Sequence, residues 1–280
     1  MLRLNEVKLP LDHSEEELHV AAAERLSVNL EDILSCEVFR RAIDARKRSA
    51  IQLTYTLDVE VKDEQEVLTG NEKLKQSGRI AISPDTTYRF VTHANGESIQ
   101  RPVVIGTGPC GLFAGLLLAQ MGFKPIILEQ GKIVRERTKD TWGFWRNSVF
   151  KPNSNVQFGE GGAGTFSDGK LYSQIKDKRH LSRKVLTEFV KAGAPEEILY
   201  VAKPHIGTFR LVKIVENMRA TIESLGGEFR FQTKVTDLVL ENKRVTGVKL
   251  HDDHSIASDH VVLAVGHSAR DTFRMLQNQG

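Results

Sequence analysis

Three glycines at fixed spacing, Gly106-x-Gly108-x-x-Gly111, carry the pattern in this chain that most directly implies chemistry. In such a turn the first glycine lets the chain reverse tightly. The second lets backbone approach a pyrophosphate, and the third lets the next helix pack on the preceding strand. A helix starting at Pro109 presents free N–H groups and a positive dipole end to that pyrophosphate. A carboxylate, Glu129, follows roughly 20 residues further on, the position at which an acidic side chain accepts hydrogen bonds from a ribose and repels a 2′-phosphate. The site is therefore expected to disfavour NADP. The same spacing recurs at Gly159-x-Gly161-x-x-Gly164, but a polar run from Thr165 to Lys170 follows it in place of an apolar helix. We read this second run as a loop that contacts a cofactor through its backbone N–H groups, against the alternative of a flexible surface loop.

The first motif is meaningful only if flanking elements position it. Val103-Val104-Ile105 reads as a buried strand, residues 109–121 as an uncharged helix, and residues 125–128 as the next strand, ending at Glu129. This is a parallel β–α–β unit; its alternative is a unit that is merely structural. Residues 103–123 are uncharged, about the 20 residues that cross a bilayer. Glycine and proline at 106–109 start a helix badly, however, so strand, turn and buried helix is the expected form and no membrane span is predicted. Further on, helices are expected at about 181–191 and 211–225. Strands are expected near 228–231, 234–240, 244–250 and 260–265, the middle pair forming a hairpin around Glu241-Asn242-Lys243.

The first 98 residues read as a separate α+β domain, and 99–280 as the nucleotide-binding domain with part of a second, substrate domain at about 138–225. A strand near 2–9 precedes Ser14-x-x-Glu17, a capping-box spacing that opens a helix to about Leu26. Ser35 is expected to cap a second helix whose Val38, Phe39, Ala42 and Ile43 form an apolar face. Residues 51–62 alternate apolar and polar without a miss, a strand with one wet face. A polar helix near 64–76 and a strand near 88–92 complete the domain, and residues 93–98 are the expected linker.

Composition narrows the classes. Lys plus Arg number 39 against 36 Asp plus Glu, so no global charge demands a polyanionic partner. Two cysteines, Cys36 and Cys110, are too few for a disulfide scaffold or a four-ligand zinc site, and no metal is expected. A reducing, cytoplasmic setting is expected, because the start of the chain also lacks an apolar signal segment. One local feature points elsewhere. Lys132, Arg135, Arg137, Lys139, Arg146 and Lys151 interleave with Trp142, Phe144, Trp145 and Phe150, a mixture that can track phosphates and stack bases. Following the ribose strand directly, these residues are instead expected to line the cofactor and pack on its loop, so nucleic acid is not the expected partner.

The segment Val103-Val104-Ile105-Gly106-Thr107-Gly108-Pro109-Cys110-Gly111-Leu112, with Leu128-Glu129-Gln130-Gly131, resembles the FAD-binding start of the glutathione-reductase-like flavoproteins. The run Val156-Gln157-Phe158-Gly159-Glu160-Gly161-Gly162-Ala163-Gly164-Thr165-Phe166-Ser167-Asp168-Gly169-Lys170-Leu171, with Lys203-Pro204-His205-Ile206-Gly207-Thr208, resembles more narrowly a branch of bacterial FAD-dependent dehydrogenases. The resemblance covers most of the chain. It implies an α/β, Rossmann-like FAD-binding domain with a β-hairpin or meander insertion after a small α+β domain. It implies FAD as cofactor, with Gly106, Gly108, Pro109 and Gly111 at the pyrophosphate and Glu129 at the adenosine ribose. Gln130 counts among the cofactor-binding residues and Arg137 lies nearby. By the same resemblance Gly161, Gly162, Gly164 and Thr165 approach the ribityl or flavin end, Val235 faces adenine, and Gly266 lies where a strand returns to the cofactor. Two departures stand out. Chains of that family continue well past the position of Gly280, so this one is expected to be a fragment or a natural truncation with an incomplete flavin pocket. Phe209 also stands where an acidic residue is expected after Gly207-Thr208.

In such an enzyme the flavin does the redox work and few catalytic side chains are needed. Lys170 is a candidate for stabilising a reduced, anionic flavin or a substrate anion. His205 and His267 are candidates for proton shuttling, although loop histidines are more often simply solvated. Cys110, at a helix start, is read as a small packing residue. The function expected is hydride transfer through FAD to or from an unidentified small molecule, with NADH or NADPH as possible electron donors at no identifiable site. The alternative is a non-catalytic dinucleotide-binding protein.

Overall fold

The structure is a computed structural model that describes residues 1–96, 99–173 and 175–279. It divides into two compact units. The first comprises 1–88 together with 171–187 and 195–205; the second comprises 89–170, 188–194 and 206–280. A linear division at residue 98 does not anticipate the two late segments of the first unit. Of the expected linker, Glu97 and Ser98 lie outside the described residues.

In the first unit β1 (Leu2–Pro10), α1 (Glu15–Leu26), β2 (Ile33–Asp44), β3 (Gln52–Val61), α2 (Glu64–Gly70), α3 (Glu72–Gln76) and β4 (Ile80–Ile82) follow one another. The sheet is antiparallel, in the order β2-β3-β1-β4. The strict alternation of β3 turns Tyr55, Leu57, Val59 and Val61 inward, where they pack with Leu2, Leu4 and the α1 residues Leu18, Ala22 and Leu26. Each such buried side chain stabilises the fold by about 1.5–3 kcal/mol. The capping box is present, Ser14 and Glu17 each accepting the other's backbone N–H.

Two sequence expectations fail here. Residues after Ser35 are not a helix but strand β2, paired with β3 from Ile33 to Asp44. Register shifts between Ile33 and Ser35 and between Val38 and Arg40 reset the phase of its side chains. The resulting spacing of Val38, Phe39, Ala42 and Ile43 mimics helical periodicity. Phe39 instead lies under the Arg3 guanidinium, 3.5 Å from its ring centre. Nor do residues 88–92 form a strand. Val91 is 87% exposed, and the edge place beside β1 is taken by β4, paired with Leu2–Leu4.

In the second unit β5 (Val103–Ile105), α4 (Pro109–Gln120) and β6 (Ile126–Leu128) form the expected β–α–β unit, followed by α5 (Val134–Asn147). Helix α6 (Leu181–Lys191) gives only its last residues to this unit. It is followed by α7 (Thr208–Ser224), β7 (Glu228–Arg230), β8 (Val235–Glu241), β9 (Arg244–Leu250), β10 (Ser255–Ala257), β11 (Val261–Leu263) and α8 (Arg270–Gln279). The parallel sheet runs β11-β5-β6-β7 and a smaller antiparallel sheet runs β10-β9-β8. The β8–β9 hairpin turns on Asn242 and Lys243, both in the left-handed region, as a two-residue turn between twisted strands requires. The apolar α4 is covered rather than membrane-spanning: Gly115 packs against Ile127 and Ile222, and Leu112, Leu116 and Ala119 are buried. Among the described residues no helix is long and apolar enough to cross a membrane.

Candidate functional site

The carboxyl ends of β5, β6 and β11 open onto one cleft of about 340 Å³, within the roughly 300–1,000 Å³ range of small-molecule sites. Its floor is the glycine turn. Gly106 has φ +102°, and a Cβ there would lie 2.4 Å from Ala264 O; one on Gly111 would lie 1.9 Å from Gly106 O. These two glycines are required by the protein's own backbone. Gly108 is different: its φ is −67°, and a Cβ added to it would meet nothing nearer than Gly162 Cα at 3.9 Å. It caps α4 with no side-chain hydrogen bond, and Pro109 opens the helix, so the first-turn N–H groups face the cleft without a side-chain acceptor. Space kept clear in front of free helix donors is what a pyrophosphate needs, and the residues present fit a dinucleotide.

The second glycine run is built onto the first. Gly161 N–H donates to Thr107 O (2.9 Å), and Gly159 N–H to Glu129 Oε1 (3.1 Å). Gly159 and Gly162 line the cleft with Gln157, Phe158 and Ala163. Glu129 is 5% exposed. Its Oε2 accepts from Thr107 N–H (3.0 Å) and Oγ1 (2.6 Å), and its Oε1 accepts also from Gly131 N–H (2.8 Å).

Behind that loop sits Arg137, fully buried on α5. It donates to Asn155 O (2.7 Å), Val156 O (2.7 Å) and Glu160 O (2.6 Å), with its guanidinium 4.8 Å from the Phe166 ring centre. Burial pushes its pKa down to about 10, against the pull of Glu129 and Glu160, so it stays charged near neutrality. Glu160, also fully buried, accepts Val134 N–H at the start of α5 (2.7 Å) and lies 3.2 Å from Arg219 Nε. Burial raises its carboxyl above the ordinary range despite both contacts. On the same helix Asp140 holds Lys151 (2.7 Å) and Lys132 (2.9 Å).

Of the expected site residues, Gly106, Gly108, Pro109, Glu129, Gln130, Gly162, Val235, Gly266 and His267 line the cleft. Gly111 lies behind the turn, and Gly161 and Thr165 are buried within the second loop. Gly164 and Arg137 do not line the cleft. Lys170 is exposed and paired with Asp168 (2.5 Å), and exposed His205 belongs to the first unit. Phe209 is 96% exposed. The aromatic residues on and just after α5 do not line the cleft either. Trp142, Phe144, Trp145 and Phe150 are 40–56% exposed, because the inward face of α5 is taken by Val134, Arg137, Asp140 and Thr141. Sequence reasoning missed Thr107, Thr233, Lys234 and Ser268 as lining residues. Thr107 stands inside the motif as an unrestricted position. The Ser268–Gln157 hydrogen bond (2.8 Å), which joins two loops far apart in sequence, had no sequence signal.

A parallel sheet with a glycine turn feeding a helix N-terminus defines the class: a dinucleotide-binding α/β unit. Residues 170–280 match the family described as FAD dependent oxidoreductase, and residues 1–60 match a domain of unknown function. This part of the chain is thus similar to FAD-dependent oxidoreductases, a likeness that points to FAD as the cofactor; the glycine turn lies upstream of the matched residues. An uncharacterised protein of Clostridium beijerinckii is 38% identical over 278 residues, covering 99% of this chain and 51% of that protein. The chain therefore spans about half the length of the curated relative it matches. Among solved structures, THI4 of Thermovibrio ammonificans shows 19% identity and a TM-score of 0.44 over 65% of this chain and 62% of that one. L-proline dehydrogenase from P. horikoshii shows 16% identity and a TM-score of 0.36 over 64% and 56%.

Proposed function

We propose that this chain supplies the dinucleotide-binding part of an FAD-dependent oxidoreductase that passes a hydride between the flavin and a small-molecule substrate. The observation that carries the reading is the clear space before Gly108 at the α4 N-terminus, in a chain whose later residues match the FAD-dependent oxidoreductase family. FAD, when bound, supplies the two-electron chemistry. The protein's part is to hold and orient. The α4 N–H groups receive the pyrophosphate, and Gly162 keeps the second loop against the turn. Val235 and Gly266 wall the cleft. His267 is the one proposed proton-handling side chain that reaches it. NADH and NADPH are the electron donors to screen. We place the protein in the cytoplasm, in keeping with Cys36 and Cys110 both being free thiols.

An absorbance spectrum of the purified chain, before and after reconstitution with FAD, tests this. Stoichiometric flavin bands that disappear in Gly108→Val support the reading. No flavin retention by the unaltered chain after reconstitution, or full retention by Gly108→Val, overturns it.

A further inference from the structure

A second cleft, of about 700 Å³, lies wholly within the first unit, again inside the roughly 300–1,000 Å³ range of small-molecule sites. Three stretches distant in sequence build it: Phe39 and Arg40 of β2, the run from Leu171 into the first turns of α6, and residues 198–204. Hydrogen bonds from Arg41 N–H to Tyr200 O (2.7 Å) and from Ala202 N–H to Arg41 O (2.9 Å) fix the last stretch along β2. Arg183 ties α6 to both, donating to Leu199 O (2.6 Å) with its guanidinium 5.6 Å from the Phe39 ring centre.

The lining has two characters. Five cations, Arg40, Lys176, Lys178, Arg179 and Arg183, share it with one carboxylate, Asp177, in a chain whose charges nearly cancel. Asp177 is engaged elsewhere, accepting Leu181 N–H (3.0 Å) and Ser182 N–H (2.6 Å) at the start of α6. Among the described residues Arg40, Lys176, Lys178 and Arg179 have neither an ion pair nor a side-chain hydrogen bond. A concave surface of one sign focuses its field on an incoming anion, and free guanidinium forks match phosphate. The rest of the lining is apolar. Its rings are taken, Phe39 by Arg3 and Arg183, and Tyr200 by Arg41 at 5.1 Å, so they are poorly placed to stack a base. The free apolar wall is aliphatic: Val185, Leu186 and the buried Ile198.

We infer that this cleft is a ligand site separate from the dinucleotide cleft, and that it takes a soluble organic phosphate. An aliphatic body lies against Val185, Leu186 and Ile198, and a phosphate or diphosphate is held by Arg40, Lys178 and Arg179. A bare anion would use only the cations. A neutral apolar molecule would use only the wall.

The test is calorimetric titration with geranyl diphosphate and with inorganic pyrophosphate, with and without saturating FAD, alongside the melting temperature. With FAD present the unaltered chain is expected to bind geranyl diphosphate one to one and about tenfold more tightly than pyrophosphate, and removing FAD should leave the geranyl diphosphate affinity unchanged. Arg40→Gln, and separately Lys178→Gln with Arg179→Gln, should each weaken geranyl diphosphate about tenfold without moving the melting temperature, because these side chains are exposed and unpaired. Val185→Ala should weaken geranyl diphosphate and leave pyrophosphate as it was. Absence of geranyl diphosphate binding, equal affinity for the two anions, binding that FAD abolishes, or binding untouched by the Arg40 and Lys178/Arg179 variants overturns the inference. Tighter binding of a short single-stranded RNA through the same residues also overturns it.

Discussion

Gly162 and Gly108 meet backbone to backbone, and the contact is one-sided. A Cβ on Gly162 would fall 2.9 Å from Gly108 Cα and 3.2 Å from Pro109 Cδ, whereas one on Gly108 would meet nothing nearer than 3.9 Å. Gly162 also has φ +63° with ψ −170°, a region essentially confined to glycine, where a side chain costs about 1–3 kcal/mol. The two glycines therefore separate stability from binding. Gly162→Ala should lower stability by about 2 kcal/mol or more once the clash is added. Gly108→Ala should leave stability within about 0.5 kcal/mol, as substitutions clear of packing do, yet weaken FAD at least about tenfold. Chemical unfolding of the flavin-free chain and FAD titration check the pair. Equal stability losses in both variants would mean that Gly108 is a packing glycine.

Arg137 is the second place where the glycine loop depends on one side chain. Three carbonyls, Asn155 O, Val156 O and Glu160 O, converge on its guanidinium. Removing one partner of a buried charged network costs about 3–5 kcal/mol, because the remaining groups stay buried. Arg137→Met should approach that loss. Arg137→Lys keeps the charge but lacks the planar fork that reaches three acceptors, and should recover only part of it. Urea unfolding of both variants measures this, and a wild-type midpoint in Arg137→Met would remove the residue from the loop's support.

Asp140 gives a dependence on pH with a definite sign. Burial by itself would raise its pKa, but the Lys151 and Lys132 ammonium groups held against it outweigh that and keep the carboxyl below the ordinary value. A depressed folded-state pKa adds stability that is present above the unfolded pKa of about 3.9 and is lost as pH falls through the folded value. Asp140→Asn should therefore cost about 1–3 kcal/mol at pH 7, the penalty of breaking a charged hydrogen-bonded set whose lysines can still reach water. The gap between variant and unaltered chain should narrow as pH falls below about 3.9 towards the depressed folded value. Melting curves of both proteins across that range check it; a gap of constant size would show that Asp140 acts without its charge.

How much of this was legible before the structure depends on the range of the interactions. The glycine turn could be read because its spacing is contained within six residues, and the strands on either side were apolar throughout. Strand β3 was readable for the same reason, its alternation being unbroken. Strand β2 was not, because register shifts at Ile33/Ser35 and Val38/Arg40 are set by pairing with β3 and leave a misleading local period. Glu129 was recognised as a conspicuous carboxylate, but three of its four hydrogen bonds come from Thr107 and Gly159, distant in the chain. Arg137 and Glu160 read as ordinary charged residues, since only the folded loop reveals that both are fully buried.

The aromatic residues on and just after α5 supply the last prediction, because sequence placed them against the cofactor and the structure turns them outward. Trp142 and Trp145 touch edge to face at 5.8 Å, Trp145 reaches Phe166 at 5.9 Å, and Arg146 lies 4.6 Å from the Trp142 ring centre. None of these four residues lines the cleft. An exposed aromatic cluster favours self-association more than it supports a site elsewhere on the unit. Trp142→Ser combined with Phe150→Ser should leave FAD affinity within about twofold and change stability by less than about 1 kcal/mol, as exposed substitutions do. The same variant should be more soluble. Flavin titration and light scattering on the variant test both halves. A loss of FAD binding of about tenfold or more would return these rings to the cofactor, and would mean that α5 turns its aromatic face inward once the dinucleotide is bound.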